Sequence, residues 1–196
     1  MHAVLLASGR MVLSRSEAMA TLGLGHRQCA DLLARLSGQE LSRPRTIGNG
    51  AWSAKDLVSH FTFWEELAVR TVEDCRAARR PFVEGIFDGG SEALDAANED
   101  HYNGTAHLPA EEVLRSSEAV HLQLLRMVAA MGYDEWNGPL VYDSPHKPTL
   151  GELLGSVLGA PGRPFKHAES HLSDLQQYVH GLRHGGPSGV VQSRQP

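Results

Sequence analysis

The sequence has few cysteines and no long apolar run, and both absences narrow the class of protein. Only two cysteines occur among the 196 residues, Cys29 and Cys75, so no disulfide framework is expected and a reducing cytoplasm fits. No apolar stretch reaches the roughly 18 residues that a membrane-spanning helix needs. The N-terminal residues lack the basic region and the long apolar region of a signal peptide, so we expect none.

The chain also lacks a strong charge of either sign. Its formal net charge is −5, and the sequence therefore predicts no nucleic-acid partner and no membrane partner. The expected partner is a small-molecule substrate, while formation of a homodimer stays open. The sequence contains no G-x-S-x-G, no phosphate-binding glycine loop and no H-E-x-x-H motif.

Alternating strand patterns are absent as well, and the apolar residues recur at helical spacing. The pattern predicts an all-α protein, an antiparallel four-helix bundle over residues 15–184. An irregular leader is expected over residues 1–14 and a flexible tail over residues 185–196. The four long helices are predicted over Ser16–Leu36, Ser53–Arg79, Pro109–Met131 and Pro164–Leu182. Shorter helices are expected at 91–102 and 150–158, with loops at 37–50, 81–90 and 132–148.

One histidine lies in the middle of a predicted apolar face. At about 100° per residue, His60 falls among the apolar positions of the second long helix. A buried, uncharged imidazole needs partners for its ring nitrogens. The residues that share this face are Leu57, Phe61, Trp64, Leu67, Ala68 and Thr71.

Two more histidines have chelate spacing. His167 and His171 are four residues apart on the last predicted helix, so both project from the side that borders its core face. Together with His60 they would hold a divalent metal and leave coordination positions open. The alternative is that His60 is a hydrogen-bonded core residue and the other two line a wet groove.

Four further residues are candidates for the surroundings of such a site. Trp64 lies one turn after His60 and would form a wall, while Asp56 and Asp174 could each orient a ligand imidazole through its second nitrogen. Arg163 stands at the start of the last helix, where it could bind an anionic substrate. By the same helical spacing Glu65 is expected on the outer face, and Asn98, Asp100 and His101 form a polar cluster without an assigned role.

These residues resemble the signatures of a known group. Trp52–His60 followed by Trp64-Glu65 is similar to the second-helix signature of the DinB/YfiT-like superfamily, which includes mycothiol-dependent maleylpyruvate isomerase N-terminal domains and ClbS/DfsB-like proteins. The run from Phe165 to Leu175 resembles the closing H-x-x-x-H motif of that superfamily. The segment Ala97–Tyr102 is also similar to sequences of the superfamily. In the isomerases the first residue of the closing motif is commonly a glutamate, whereas His167 gives the three-histidine pattern of the YfiT-like members.

The resemblance implies a four-helix bundle with a divalent metal, zinc or nickel, held by His60, His167 and His171. It implies thiol-dependent S-transferase or isomerase chemistry on a small electrophile, with mycothiol as co-substrate. Two alternatives stay open: a metal-dependent hydrolase or self-resistance protein of the ClbS type, and a non-catalytic bundle that binds a small ligand.

Overall fold

The prediction of an all-α protein is confirmed. The computed structural model describes residues 13–48, 50–142, 144 and 147–183. Those residues form helices and two isolated β-bridges but no strand. The helices are α1 (Arg15–Leu33), α2 (Gly38–Leu41), α3 (Ala54–Arg76), α4 (Phe82–Asp88), α5 (Gly90–Thr105), α6 (Ala110–Ala130), α7 (Tyr133–Asn137), α8 (Leu150–Val157), α9 (His167–Ser170) and α10 (Leu172–Arg183).

The helix α3 is the centre of the fold. It packs along α6 and also contacts α5, α8 and α4, while α1 packs against α6, α9 and α10. Fifteen of the 23 residues of α3 are buried. They contribute to two apolar clusters, one around Trp64 and Trp136 and the other around Leu57 and Leu175. Since α3 is covered on several sides, its polar residues are buried together with its apolar ones.

The start of α3 is fixed by a buried capping box. Ser53 is 1% exposed, and its hydroxyl donates to Asp56 Oδ2 at 2.7 Å while it accepts from the Asp56 backbone N–H. The backbone N–H of Ser53 donates to the same carboxylate at 2.9 Å. Reciprocal capping of this kind satisfies N–H groups that have no partner inside the helix.

We expect Ser53→Ala to lower the free energy of unfolding by about 1–2 kcal/mol, because the variant leaves a buried helix start partly unsatisfied. Urea unfolding followed by circular dichroism measures the change. The control is Ser37→Ala, which removes the same motif from the exposed start of the four-residue α2. An equal loss of stability in both variants would contradict a special contribution of the α3 cap.

Several predicted boundaries are wrong. Ser14, not Ser16, caps α1 with a capping box to Glu17. The carbonyl of Leu13 accepts a hydrogen bond from Trp136 Nε1, so the end of the predicted leader is attached to the core. The remainder of that leader, residues 1–12, and the predicted tail lie outside the described residues. Helices α2, α4 and α7 occupy stretches that the sequence predicts as loops. Each buries at least one side chain, and α2 is also capped by Ser37, so tertiary packing outweighs the glycines and prolines nearby.

The last predicted helix starts later than expected and is interrupted. Phe165 has a φ of +61°, in the left-handed region, so a helix cannot run through it. The ring of Phe165 is buried and stacks on Trp136 at 5.9 Å. This packing holds the unusual backbone, and the helix begins only at His167. It breaks again at His171, which is the C-cap of α9 and precedes α10.

Candidate metal centre

Three histidine side chains converge where α3 meets α9. The nitrogens Nε2 of His60 and Nε2 of His167 lie 3.0 Å apart. The candidate ligand atoms of His60, His167 and His171 all lie within 4.8 Å of one another. Two nitrogens bound to one tetrahedral zinc at 2.0–2.1 Å are about 3.3 Å apart. The separation of the first pair is therefore close to what one metal ion requires, and the donor set fits a borderline divalent metal.

The local backbone presents these rings to one another. His60 lies in the second turn of α3 and is 7% exposed. The N–H of His167 donates to the carbonyl of Leu158, which fixes the first residue of α9 against the end of α8. The N–H of His171 donates to the carbonyl of Ala168 at the end of the same short turn. One helical turn thus carries both rings, although it is not part of a long helix.

Burial keeps the three imidazoles neutral. It lowers the pKa of His60 to about 2, with smaller contributions from the neighbouring His167, His171 and His101. The pKa of His167 falls to about 3 through burial and then through His171. Burial also lowers the pKa of His171, against an opposing effect of the Asp174 carboxylate. Neutral rings keep a lone pair available, which is the state that binds a metal.

Aromatic rings surround the histidines. The ring centroid of Trp64 lies 5.9 Å from that of His167 and 6.4 Å from that of His60. Trp52 lies 4.9 Å from His60 on another side, and Phe61 lies 5.7 Å from both other histidines. This wall restricts water and lowers the local dielectric constant. Trp64 is therefore located where the sequence predicted it.

The sequence did not identify the contribution of Asn98. Its side chain comes from α5, and its interaction with His60 raises the pKa of that ring against the effect of burial. Its Oδ1 also accepts from Trp64 Nε1 at 3.1 Å. Asn98 therefore links the central histidine to its aromatic wall. The signal in the sequence was only a polar residue within a helix of acids and alanines.

The other three residues predicted around the site are Asp56, Asp174 and Arg163, and each makes a different interaction in the structure. The oxygens of Asp56 are engaged by Ser53 and by Lys55 Nζ at 2.6 Å, so Asp56 caps α3. Asp174 acts on His171 electrostatically, as expected for a carboxylate one turn away. Arg163 forms an ion pair with Glu169 and is about half exposed.

A cavity that is partly open to solvent adjoins the candidate centre. A cavity of about 400 Å³ lies between α1, α3 and α6, and His167 forms part of its wall. The volume is within the range of small-molecule sites. Its apolar lining includes Leu22, Leu33, Val58, Phe61, Leu114 and Phe165.

The fold and the site together make this an all-α bundle protein with a candidate metal centre, formed by three imidazoles from α3 and α9. The chain belongs to the family described as the Mycothiol maleylpyruvate isomerase N-terminal domain, which matches residues 22–155. The resemblance predicted from the sequence is therefore confirmed. His60 lies within the matched segment, whereas His167 and His171 lie beyond it.

Solved structures support the same fold. The chain is similar to an uncharacterised protein from Escherichia coli UTI89, with a TM-score of 0.70, 15% identity and coverage of 87% of this chain and 95% of that one. It is also similar to the colibactin self-resistance protein ClbS in complex with a dsDNA, with a TM-score of 0.67, 16% identity and coverage of 84% and 94%. None of the functionally curated proteins matches the chain in sequence.

The prediction that nucleic acid is excluded as a partner is wrong. ClbS, whose fold is similar, has been solved in complex with a dsDNA. The net charge is a sum over the whole chain and does not determine the charge of any one surface patch. A modest negative value therefore does not exclude nucleic-acid binding. None of the helices in the described part of the chain is both long and apolar enough to cross a membrane.

Proposed function

We propose that the protein is a metal-dependent enzyme that joins a low-molecular-weight thiol of the mycothiol type to a small electrophile, or isomerises that electrophile. His60, His167 and His171 would hold the metal, zinc or nickel. The observation that carries the proposal is the convergence of three neutral imidazoles beside a cavity. A bound divalent metal lowers the pKa of a coordinated thiol or water and so supplies a nucleophile at neutral pH.

The residues of the chain would do the remaining work. Asn98 would orient His60, and Trp52 and Trp64 would limit the access of water. The cavity would hold the electrophile beside His167. Cys29 also lines that cavity, but burial and then the negative charge of Glu65 raise its pKa to about 12, so its thiol stays neutral. A neutral thiol is a poor nucleophile, which favours a thiol supplied from outside the chain.

Cobalt replacement tests whether a thiol meets the centre. Protein loaded with Co²⁺ is titrated with a mycothiol-type thiol, and a near-ultraviolet absorption band from sulfur to cobalt is expected. The alcohol analogue of the same thiol serves as control and should give no band. A cobalt-loaded, folded protein that shows no band with the thiol would contradict the transferase proposal and leave hydrolysis.

A second candidate is a hydrolase or self-resistance protein, supported by the likeness to ClbS. The same three imidazoles would serve it, with water in place of the thiol. Since that structure contains a dsDNA, fluorescence anisotropy with a labelled duplex is the direct test of a nucleic-acid partner. Binding that is specific for DNA and insensitive to added thiol would favour this candidate over the transferase.

Asn98→Ala is expected to weaken metal affinity by about 10–100-fold, because His60 loses the group that orients it. Competition with a chromogenic chelator measures the dissociation constant. Asn98→Asp keeps a hydrogen-bond acceptor and should restore most of the affinity. If Asn98→Ala folds normally and binds metal like the wild type, Asn98 does not position the ligand.

A further inference from the structure

Besides its apolar residues, the cavity is lined by members of a polar cluster. Glu65 accepts a hydrogen bond from His121 Nδ1 at 2.8 Å, and Glu118 accepts one from His26 Nε2 at 2.9 Å. The rings of His26 and His121 stack face to face, with centroids 3.8 Å apart and an angle of 7°. These four residues form the acid–imidazole cluster. Three of them, His26, Glu65 and Glu118, line the cavity.

The position of Glu65 corrects a prediction. Helical spacing indicated the outer face of α3, but α6 covers that face and brings His121 to the carboxylate. The side chain of Glu65 is 13% exposed and that of His121 is 4% exposed. A carboxylate this well covered needs a hydrogen-bond partner or an opposite charge. His121 supplies that hydrogen bond to Oε1, and within the described part of the chain no group donates a hydrogen bond to Oε2.

The described lining of the cavity carries more acidic than basic side chains. Three carboxylates line it, those of Glu65, Glu118 and Glu169. Glu65 and Glu118 are each hydrogen-bonded to an imidazole, from His121 and His26 respectively. Among the described residues that line the cavity there is no lysine or arginine. The nearby Lys166 and Arg163 both pair with Glu169.

We propose that the cavity selects a ligand with an apolar body and a positively charged amino or guanidino group, which Glu65 and Glu118 bind. Glu169 also lines the cavity but is already paired with Arg163 and Lys166, which leaves Glu65 and Glu118 as the carboxylates without a lysine or arginine partner. An apolar wall beside these two carboxylates fits an amphipathic molecule, because the body is removed from water while the cation meets a negative charge. This proposal rests on the proposed function in one respect, because the proposed function places the electrophile in this cavity. It implies that electrophiles bearing carboxylates are poor substrates, contrary to the anion-binding role expected of Arg163.

Three matched probes test the selectivity: 4-phenylbutylamine, 4-phenylbutan-1-ol and 4-phenylbutyrate. Binding to the full chain is measured by titration calorimetry after chelator treatment, so that no probe can bind through a metal. We expect the amine to bind at least about 10-fold more tightly than the alcohol, and the acid more weakly than both. Because metal binding plays no part in this measurement, its failure is separate from failure of the proposed metal centre.

Variants that remove one negative charge test whether Glu65 and Glu118 cause the preference for the amine. Glu118→Gln is at an exposed side chain and is expected to fold, and Glu65→Gln preserves shape in the buried pair. Each should reduce the preference for the amine, and the double variant should bring it below about three-fold. Glu112→Gln removes the same charge from an exposed position of α6 and should change nothing. Equal binding of amine and alcohol, a preference for the acid, no binding of any probe, or a preference that survives the double variant would each overturn the proposal.

Discussion

Replacing His60 by alanine is expected to remove the metal. The wild type, purified without a tag and loaded with zinc or nickel, should contain about one ion per chain, and His60→Ala essentially none after desalting. The variant leaves only the two histidines of one short turn, which hold a metal far more weakly than three. The affinity should fall by more than the about 100-fold typical of changes around the ligands. Inductively coupled plasma mass spectrometry measures the content.

Controls separate a real centre from adventitious binding. His107→Ala removes an exposed histidine and should retain the metal of the wild type. In the presence of metal at 100 times its dissociation constant, the wild type should gain about 2.7 kcal/mol of stability, and His60→Ala none. A folded His60→Ala that binds metal as the wild type does, or a wild type that takes up none, would refute the centre.

The second large effect is acid destabilisation of the metal-free protein. The pKa of His60 is about 2 and that of His167 about 3 in the folded state, against about 6.5 in an unfolded chain. Below pH 6.5 the unfolded state therefore binds more protons, and stability falls as pH falls. Between pH 7.5 and 5 each histidine removes about 2 kcal/mol, so the pair removes about 4. Above pH 7 the effect vanishes.

Urea unfolding of chelator-treated protein at pH 7.5 and at pH 5.0 measures this loss. His60→Gln removes one titrating ring and should lose about 2 kcal/mol less than the wild type over the same interval. His107→Gln, at an exposed position, should behave as the wild type. Identical acid sensitivity of the wild type and His60→Gln would show that burial of this ring does not govern the response.

The candidate ligands could be predicted because each has a local signature. His60 is a polar residue within an apolar helical period, and His167 and His171 have chelate spacing, so periodicity alone selected them. The rings of His167 and His171 do lie close to that of His60, but the backbone that places them differs from the continuous helix expected. One short turn between Phe165 and α10 presents both rings, and the tertiary packing of Phe165 against Trp136 creates that turn.

The supporting residues could not be predicted, because they depend on which helices meet. Asn98 lies on α5 and acquires its role only where α5 crosses α3. Helical spacing places Glu65 on the outer face of α3, but neighbouring helices cover α3 on several sides. Asp56 differs from these two residues, because its part in the helix cap follows from its local spacing of three residues from Ser53.

The ligands of the centre are far apart along the chain, and this has a consequence for biosynthesis. His60 and His167 are separated by 107 positions, with the whole of α4 to α8 between them. A ribosome that has just released α3 exposes one ligand and has yet to make the other two, while the N-terminal part of a chain folds first. If the three histidines bind a metal, its acquisition would therefore come late in the synthesis of the chain. The nascent bundle would begin to form on packing and capping alone, and the ion would bind only after α9 has docked.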